Sequence, residues 1–517
     1  MQKKLIYLTL ALGAMTSLNA WADTKLEAEK ADYSDCTVVS DSKYSGGEAL
    51  KLTETTAKIT FDVNVDKKGK YALFAAGDGI GGSKIVNCSV NGSTGQFSLD
   101  TYAEVEMGTF FLSEGQNKIE ITPNWTWFDI DYIRIDSPQD EYAFDITAAP
   151  VDENATDAAK NMYSFLLDNF GKKSISGMMT GDMSSANGDI TAHDDVMAVY
   201  EASGKYPALV GFDFLFATGR TENEGWCKDY TNKTIELAKD LYSRGGFPAF
   251  TWHWHDPSRK TDDFYSDKSS VSISQALNSD GSWNTTSELY NYIIHDIDLI
   301  ADYFLKLQEA GVACIFRPLH EASGGWFWWG RNKNAADFVK LFQLVFDEMT
   351  QVKGVHNVLW VWNAGADDSD WNPGDEYYDF VSADIYNPAY DYSSNASTFD
   401  KLKALTQGKK IIALSENGPV PDIEKQVEEE AMWSWWMPWY QTWDGKFVDQ
   451  TSPEQWRKCM NDDRVITLED MNSWNAVETI SSVPSQNTIY DLNGHRLLRE
   501  PSHGLYIKDG KKILKTN

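Results

Sequence analysis

The feature that most constrains the fold is a series of eight short apolar segments that alternate with helical patterns between about residue 155 and residue 480. Apolar runs of strand length, separated by amphipathic stretches, indicate parallel βα units. Eight such units predict an α/β fold, a closed (β/α)8 or TIM barrel, with a site at the carboxyl ends of its strands. The predicted strands are residues 175–179, 208–214, 249–253, 313–318, 358–362, 380–386, 411–415 and 433–439.

The rest of the chain carries other patterns. Residues 23–137 show short runs of alternating polar and apolar residues separated by turn signals, which predict an all-β sandwich. Residues 138–154 have no strong periodicity and are interpreted as a linker. We assign residues 155–482 to the barrel, and residues 483–517, with two short strand-like runs, to a small β tail.

The first 22 residues have the pattern of a signal peptide. Lys3 and Lys4 precede an apolar core at residues 5–18 that is too short for a membrane span, and Ala20, Trp21 and Ala22 match the small-residue cleavage pattern. No later segment is apolar enough to cross a bilayer. We therefore expect cleavage after Ala22, no membrane insertion, and a secreted, cell-surface or periplasmic protein.

Composition narrows the class of ligand. The net charge of −31 argues against nucleic acid, anionic membranes and polyanionic sugars, all of which need basic residues. The chain contains 20 Trp, 24 Tyr and 24 Phe, many of them in polar stretches that contain glycine. Such aromatic side chains stack on the apolar faces of sugar rings, so a neutral polysaccharide is an acceptable substrate.

The cysteines do not indicate a metal site. The five cysteines are too widely spaced for a zinc motif. Cys36 and Cys88 lie in the same predicted domain, where an oxidising compartment would allow a disulfide, and at least one of the five thiols must stay unpaired. Cys314 falls within an apolar strand and is interpreted as a buried small residue.

Two glutamates stand at the ends of predicted strands. Residues 315–330 run from a strand through His320 and Glu321 into a glycine loop with Trp326, Trp328 and Trp329, and the seventh strand ends at Glu416. Neighbouring strand ends of a barrel would bring the two carboxyl groups together, as glycoside hydrolysis requires. The alternative is a buried His–Glu pair at one strand and an ordinary ion pair at the other.

Other strand ends add polar and aromatic side chains. His253 and His255 alternate with two tryptophans after the third strand, so both histidines face one way. Three histidines including His320 suggest zinc, but the sequence has no H-E-x-x-H motif, and hydrogen bonding to sugar hydroxyls is simpler. Tyr386 ends the sixth strand, where its phenol would hold a nucleophile ionised, and Trp436 would form the floor of a subsite.

These residues resemble glycoside hydrolase family 26, which consists chiefly of endo-β-1,4-mannanases. The matching segments are residues 252–257, 317–326, 360–363, 383–387 and 412–418. The resemblance implies Glu321 as acid/base and Glu416 as nucleophile, without a catalytic cofactor. It also implies substrate contacts from His320, Trp326, Tyr386 and one histidine of strand three, for which we prefer His255 over His253. A weaker match places Arg457 at a distal subsite.

The first domain resembles carbohydrate-binding modules of the family 6 and 35 type, on acidic pairs in its first strand and the motif Ile130 to Ile133 in its last. The resemblance implies a structural calcium ion held by Glu27 or Glu29 and Asp131, and oxygen ligands suit calcium. Ordinary surface carboxylates are the alternative. Trp125 and Trp127 share one side, as a sugar platform or, in our preferred interpretation, as part of the core.

The tail resembles the C-terminal sorting domains of type IX secretion, on residues 504–507 and 510–514. A β appendage without a targeting role is the alternative.

We expect a monomer that acts on β-mannan. Rival hypotheses are a lichenase (β-1,3-1,4-glucanase) or a β-1,3-xylanase of the same family, or a surface glycan-binding protein with an inactive barrel. Endo or exo action is left open, because inserts at residues 256–284 and 367–378 could close one end of a cleft.

Overall fold

A computed structural model describes residues 24–138 except 125, residues 142–440 except 185, 366 and 367, residues 450–471, and four short strands between 489 and 515. The predicted signal peptide and Trp125 lie outside the described residues. The chain divides into two compact units, residues 1–141 with 395–400, and residues 142–394 with 401–517. No helix in the described part of the chain combines the length and apolarity that a membrane crossing requires.

The first unit is a sandwich of two antiparallel sheets, as predicted. One sheet has the order β3-β4-β11-β6-β9 with β1 also paired to β11, and the other has the order β2-β5-β10-β7-β8. The strands are β1 (Thr24–Glu27), β2 (Asp32–Ser34), β3 (Cys36–Ser40), β4 (Glu48–Leu52), β5 (Lys58–Val65), β6 (Gly69–Asp78), β7 (Lys84–Val90), β8 (Ser93–Leu99), β9 (Ala103–Leu112), β10 (Gly115–Pro123) and β11 (Phe128–Pro138).

Alternation of side chains builds the core of this sandwich. Along β5, Ile59, Phe61, Val63 and Val65 are buried while most residues between them are not, as expected for a strand with one face on the core. The preferred interpretation of Trp127 as part of the core is wrong, because its side chain is 56% exposed.

All five cysteines are free thiols, so the structure contains no disulfide between Cys36 and Cys88.

The second unit contains the predicted barrel. Eight parallel strands pair in sequence order, and pairing of the first with both the second and the eighth closes the cylinder. The strands are β12 (Ser174–Met179), β13 (Leu209–Asp213), β14 (Phe247–Thr251), β15 (Cys314–Arg317), β16 (Val358–Asn363), β17 (Phe380–Ile385), β18 (Ile411–Asn417) and β19 (Trp435–Pro438). A short strand, β20 (Val465–Ile466), pairs with the start of β12.

Helices follow most strands. They are α1 (Asp157–Asn169), α2 (Asp194–Ser203), α3 (Gly225–Ser243), α4 (Glu288–Glu309), α5 (Ala335–Asp347), α6 (Ala396–Leu405), α7 (Ile423–Glu428) and α8 (Pro453–Met460). Helix α4 begins where Ser287 accepts a hydrogen bond from the backbone N–H of Tyr290 at 3.1 Å. Helix α1 packs Met162 and Tyr163 on apolar side chains at the amino ends of the strands, so the opposite end carries the site.

The tail forms a small antiparallel sheet, in which the two predicted strand regions both contribute. Its order is β22-β21-β23-β24, and its strands are β21 (Ile489–Tyr490), β22 (Arg496–Leu497), β23 (Gly504–Lys508) and β24 (Lys511–Lys515).

Candidate active site

Glu321 follows β15 in a tight turn. Leu319 and Glu321 both adopt left-handed backbone conformations, with φ of 54° and 53°. The Glu321 backbone N–H donates to Asn363 Oδ1 at 2.7 Å, which fixes the turn to the end of the neighbouring strand β16. Strained backbone held by a specific partner is common where a side chain must be aimed at a reacting group.

A change of register positions the second glutamate. Strands β17 and β18 pair regularly up to Ala383 and Leu414, after which Asp384 stands opposite Glu416. The intervening Ser415 donates its hydroxyl to Asp384 Oδ1 at 2.7 Å. This bulge sets the carboxyl groups of Asp384 and Glu416 next to each other at the carboxyl end of the barrel.

Arg317 connects the carboxylates. Its buried guanidinium donates to Asp384 Oδ2 at 2.7 Å and to Glu416 Oε1, and the Tyr386 hydroxyl donates to Glu416 Oε2. One carboxylate oxygen from each of Glu321, Asp384 and Glu416 lies within 4.8 Å of the others. Asp384 and Glu416 therefore share one arginine, and each oxygen of Glu416 accepts a hydrogen bond.

The environment of Glu321 is different. Burial raises the pKa of Glu321, and the nearby Glu416 carboxylate raises it further, against the opposing effects of Arg317 and of a hydrogen bond from Trp326. The indole Nε1–H of Trp326 donates to Glu321 Oε2 at 2.9 Å. Glu321 is thus suited to hold a proton beside an ionised neighbour.

Tyr386 and Trp326 offer surface to a ligand at this position. Tyr386 is 45% exposed and Trp326 is 47% exposed. Burial of the phenol oxygen and the charge of Glu416 raise the pKa of Tyr386 well above its usual range, so the phenol keeps the proton that it donates. Half-exposed aromatic rings beside a carboxylate pair can stack on sugar rings.

The histidines are arranged differently from our preference. His253 Nε2 lies 3.2 Å from His320 Nε2, next to the carboxylate pair, whereas the buried His255 stacks on Phe264 with ring centroids 5.9 Å apart. His253, rather than His255, therefore contacts His320, the residue that precedes Glu321. Among the described residues, no group of three histidines, cysteines or acids whose ligand atoms could meet at one metal ion includes two histidines, so the structure gives no support to the zinc hypothesis.

Burial decides the roles of the other tryptophans. Trp328 and Trp329 are buried and serve packing. Trp436 is fully buried, with its ring centroid 6.0 Å from that of the buried Trp456 on α8. The predicted subsite role of Trp436 is therefore wrong, because this side chain faces the layer of helices and offers no surface to a sugar.

The predicted distal-subsite role of Arg457 is also contradicted. Arg457 lies on α8, and its half-exposed side chain is paired with Glu454 on the same helix at 3.1 Å. Just after this helix, Asn461 donates to the carbonyl of Ser203 at the end of α2 at 3.2 Å. Arg457 thus belongs to the outer layer of helices.

Two acids of the site were not predicted. Asp384 precedes Tyr386 by two residues, and Asp213 is the last residue of β13. Both positions follow the period of two that marks one face of a strand. That signal could have found them, but a buried aspartate next to an arginine also occurs in ordinary structural ion pairs.

In the sandwich, two of the three predicted calcium ligands, Glu27 and Asp131, lie beside Ser45. Its hydroxyl donates to Glu27 Oε1 and its backbone N–H donates to Asp131 Oδ2, both at 2.8 Å. Glu27 Oε2, Glu29 Oε2 and Asp131 Oδ1 are buried and have no hydrogen-bond partner among the described residues. Orphaned buried carboxylate oxygens are costly unless a cation binds them, so these residues fit a calcium ion.

Comparison with known families matches both units. The family described as glycosyl hydrolase family 26 matches residues 151–469, and carbohydrate binding module (family 35) matches residues 24–137. The chain is 32% identical to a mannan endo-1,4-beta-mannosidase of Thermothelomyces thermophilus, over 87% of this chain and 91% of that protein. It is 30% identical to mannan endo-1,4-beta-mannosidase B of Piromyces, over 87% and 76%.

Solved structures give the same result. The GH26-CBM35 beta-(1,4)-mannanase of Podospora anserina is similar with a TM-score of 0.59 and 29% identity, over 87% of this chain and 99% of that one. A beta-mannanase from a symbiotic protist of the termite Reticulitermes speratus, complexed with gluco-manno-oligosaccharide, has a TM-score of 0.57 and 36% identity. That likeness covers 64% of this chain and 99% of the other.

Proposed function

The chain belongs to glycosyl hydrolase family 26, and we propose that it hydrolyses β-1,4-mannosidic bonds in mannan, galactomannan or glucomannan with retention of configuration. The relatives named as mannan endo-1,4-beta-mannosidases cover nearly the whole chain, which supports the substrate class. The observation that carries the proposal is the paired carboxyl groups of Glu321 and Glu416 with opposite environments at the open end of the barrel.

The spacing of the two carboxyl groups supports retention. Oxygens of Glu321 and Glu416 lie within 4.8 Å of each other. Retaining glycosidases hold their carboxyl groups about 5–5.5 Å apart, whereas inverting enzymes need about 6.5–9.5 Å to admit a water molecule. The shorter spacing leaves room for direct attack on the sugar and too little for a water molecule behind it.

In the first step, a carboxylate oxygen of Glu416 attacks the anomeric carbon while Glu321 gives its proton to the leaving glycosidic oxygen. Arg317 and Tyr386 hold the attacking carboxylate in place through its two oxygens. The bond to the leaving sugar breaks as the glycosyl ester forms, and Glu321 becomes a carboxylate.

In the second step, water replaces the leaving sugar. The ester has no charge at Glu416, so one of the causes that raised the pKa of Glu321 is removed. The Glu321 carboxylate takes a proton from the water, whose oxygen attacks the anomeric carbon and releases Glu416 as an anion. Two inversions at the same carbon give net retention.

Removal of each glutamate tests these roles. We expect Glu416→Ala and Glu321→Ala to abolish turnover of mannan, and azide to restore Glu416→Ala partly, with an inverted glycosyl azide as product. Glu454→Ala, at an exposed position on α8, is the matched control and should retain full activity. Normal hydrolysis by either active-site variant would disprove the assignment.

The substrate is tested by product analysis. We expect release of oligosaccharides from galactomannan, and little from mixed-linkage glucan or β-1,3-xylan. A preference for either of the last two polymers would support the lichenase or the xylanase hypothesis instead. The size distribution over time separates endo action, which gives mixed lengths early, from exo action, which gives one short product.

For the sandwich, we propose a structural calcium ion held by Glu27, Glu29 and Asp131. The ion would neutralise buried carboxylate oxygens and link β1 to β11, which are paired at Glu27 and Tyr132. Such a site contributes to the stability of the domain rather than to the reaction.

We also propose export by the signal peptide, with sorting by the tail. N-terminal sequencing of the exported protein should begin at Asp23. A variant that lacks residues 483–517 should then lose its final location while keeping the same N-terminus. An unprocessed N-terminus would contradict the first proposal, and an unchanged location would contradict the second.

A further inference from the structure

A carboxylate and two imidazoles form a line beside the catalytic pair. Asp213, at the end of β13, accepts the backbone N–H of His253 at 3.1 Å and contacts His253 Nδ1 through its other oxygen at 2.6 Å. The second ring nitrogen of His253 lies 3.2 Å from His320 Nε2, and His320 Nδ1 lies 3.3 Å from Thr251 Oγ1. Each polar atom of this line has a partner.

The partners determine where the protons lie. The Thr251 hydroxyl lies 3.4 Å from the carbonyl of Arg317 and 3.3 Å from His320 Nδ1. We assign its one hydrogen to the carbonyl, and with this assignment the oxygen acts as an acceptor toward His320. His320 Nδ1 must then carry a hydrogen, and a neutral His320 has a bare Nε2. The facing Nε2 of His253 must carry a hydrogen, as must its Nδ1 against the Asp213 carboxylate.

We propose that Asp213 is a positioning residue of the reaction, which holds His253 as an imidazolium that donates to neutral His320 and places a fixed positive charge beside the two glutamates. This inference rests on the proposed function for its effect on the rate, but the protonation of His253 is a property of the free protein.

The charges that face His253 agree with this assignment. Burial acts to lower the pKa of His253, but the Asp213 carboxylate outweighs it, with a smaller contribution from Glu416 and an opposing one from Arg317. Burial, Arg317 and His253 all lower the pKa of His320 well below its usual value. Glu321 and His255 also interact electrostatically with His253. The aromatic rings packed on His253 are Phe264, Phe327 and Trp439, with centroids 4.9, 5.6 and 5.8 Å away.

The imidazolium would serve as a second cation for the acid cluster. With Arg317 alone, three carboxyl groups face one positive charge, whereas a charged His253 provides a second. Removing the Asp213 charge should let His253 lose its proton near neutral pH. The ionised nucleophile would then be less stabilised, and kcat/KM would fall at neutral pH while recovering in acid, where His253 protonates without help.

The first measurement does not depend on activity. In protein labelled with ¹⁵N-histidine, long-range ¹H–¹⁵N spectra at pH 7 should show two protonated ring nitrogens for His253 and one for His320, with signals assigned from His253→Gln and His320→Gln. In Asp213→Asn, His253 should show one protonated nitrogen at pH 7 and two at about pH 5. A neutral His253 in the unmodified protein at pH 7 would overturn the proposal.

The second measurement is the pH dependence of mannan hydrolysis. For Asp213→Asn we expect kcat/KM to fall about tenfold at pH 7 and by much less at pH 5, and Asp213→Glu to restore most of the loss. A loss of equal size at both pH values, with an unchanged melting temperature, would overturn the proposed role. If the unmodified protein does not hydrolyse mannan, the proposed function fails and the spectra still decide the state of His253.

Discussion

Both units of the molecule bury carboxyl groups, but they differ in how completely the side chains of the chain itself satisfy the carboxylate oxygens. In the barrel, Arg317 donates to both Asp384 and Glu416. In the sandwich, Glu27, Glu29 and Asp131 each leave one buried oxygen without a hydrogen-bond partner among the described residues. Burying charge is costly unless it is paired, so the two clusters should differ in what they need from solution.

The difference agrees with the roles that we propose for the two clusters. A reacting carboxylate must be free to form a bond to the substrate, and a side-chain donor such as Tyr386 can release it. A structural carboxylate only has to hold strands together, which a divalent cation does well. The following predictions test this contrast, from the largest expected effect to the smallest.

Arg317→Met should have the largest effect, because it leaves two buried carboxylates without their cation. We expect the barrel to lose about 3–5 kcal/mol of stability and mannan hydrolysis to disappear. Denaturant unfolding and initial rates are the measurements. Arg317→Lys, which keeps the charge but loses the planar fork, should lose less stability, and an unchanged stability of Arg317→Met would contradict the proposed pairing.

Removal of calcium should destabilise the sandwich and not the barrel. A site at 100 times its dissociation constant contributes about 2.7 kcal/mol, so EDTA should lower the unfolding transition of this domain by several degrees. Calorimetry with and without EDTA measures the shift, and rates on soluble oligomannosides should stay unchanged.

Asp131→Asn should abolish the response to EDTA, and Asp32→Asn, at an exposed position of the same domain, should preserve it. Identical thermograms of the unmodified protein with and without EDTA would refute the calcium site.

Trp326→Phe should shift the pH profile while keeping an aromatic ring. The hydrogen bond from Trp326 favours ionised Glu321 and lowers its pKa, so its loss raises the pKa further. The acid would then stay protonated to higher pH, and the alkaline limb of kcat/KM should move to higher pH.

Trp226→Phe is the matched control, because Trp226 is also half-exposed but donates to Glu224, which is not part of the acid cluster. An unmoved alkaline limb in Trp326→Phe would show that this hydrogen bond does not tune Glu321.

Arg457→Ala should have the smallest effect. An exposed ion pair three residues apart on a helix is worth little, and Arg457 lies on the outer layer of helices. We expect the equilibrium constant of unfolding and the KM for mannohexaose each to change less than twofold. A large rise in KM would return Arg457 to the substrate site and refute its structural placement.

The fold was largely predictable because its signals are local. Each barrel strand is an apolar run followed by polar residues, and the structure has all eight in the predicted order. The same signals placed Glu321 and Glu416 at strand ends, where the structure puts them within 4.8 Å of each other. A barrel brings the carboxyl ends of all its strands to one face, so strand order alone implied that meeting.

The wrong predictions for Trp436 and for the histidines of the third strand share a different cause. Trp436 and Trp326 are both tryptophans near strand ends, yet one is fully buried and the other is 47% exposed. His253 and His255 lie on the same side of the chain, but only His253 contacts His320. Composition and period give the side of a strand but not the depth at which its side chain lies.

By itself, the sequence determined the order of the elements, the side of each strand that faces the barrel, and the two glutamates that stand at the carboxyl ends of two strands. Only the tertiary structure decided which acids share Arg317, where Asp213 lies, and which carboxylate oxygens of the sandwich lack a partner. The physical reason is that periodicity is a property of consecutive residues, whereas pairing of buried charges depends on the register between strands. One such register change, between β17 and β18, sets Asp384 opposite Glu416.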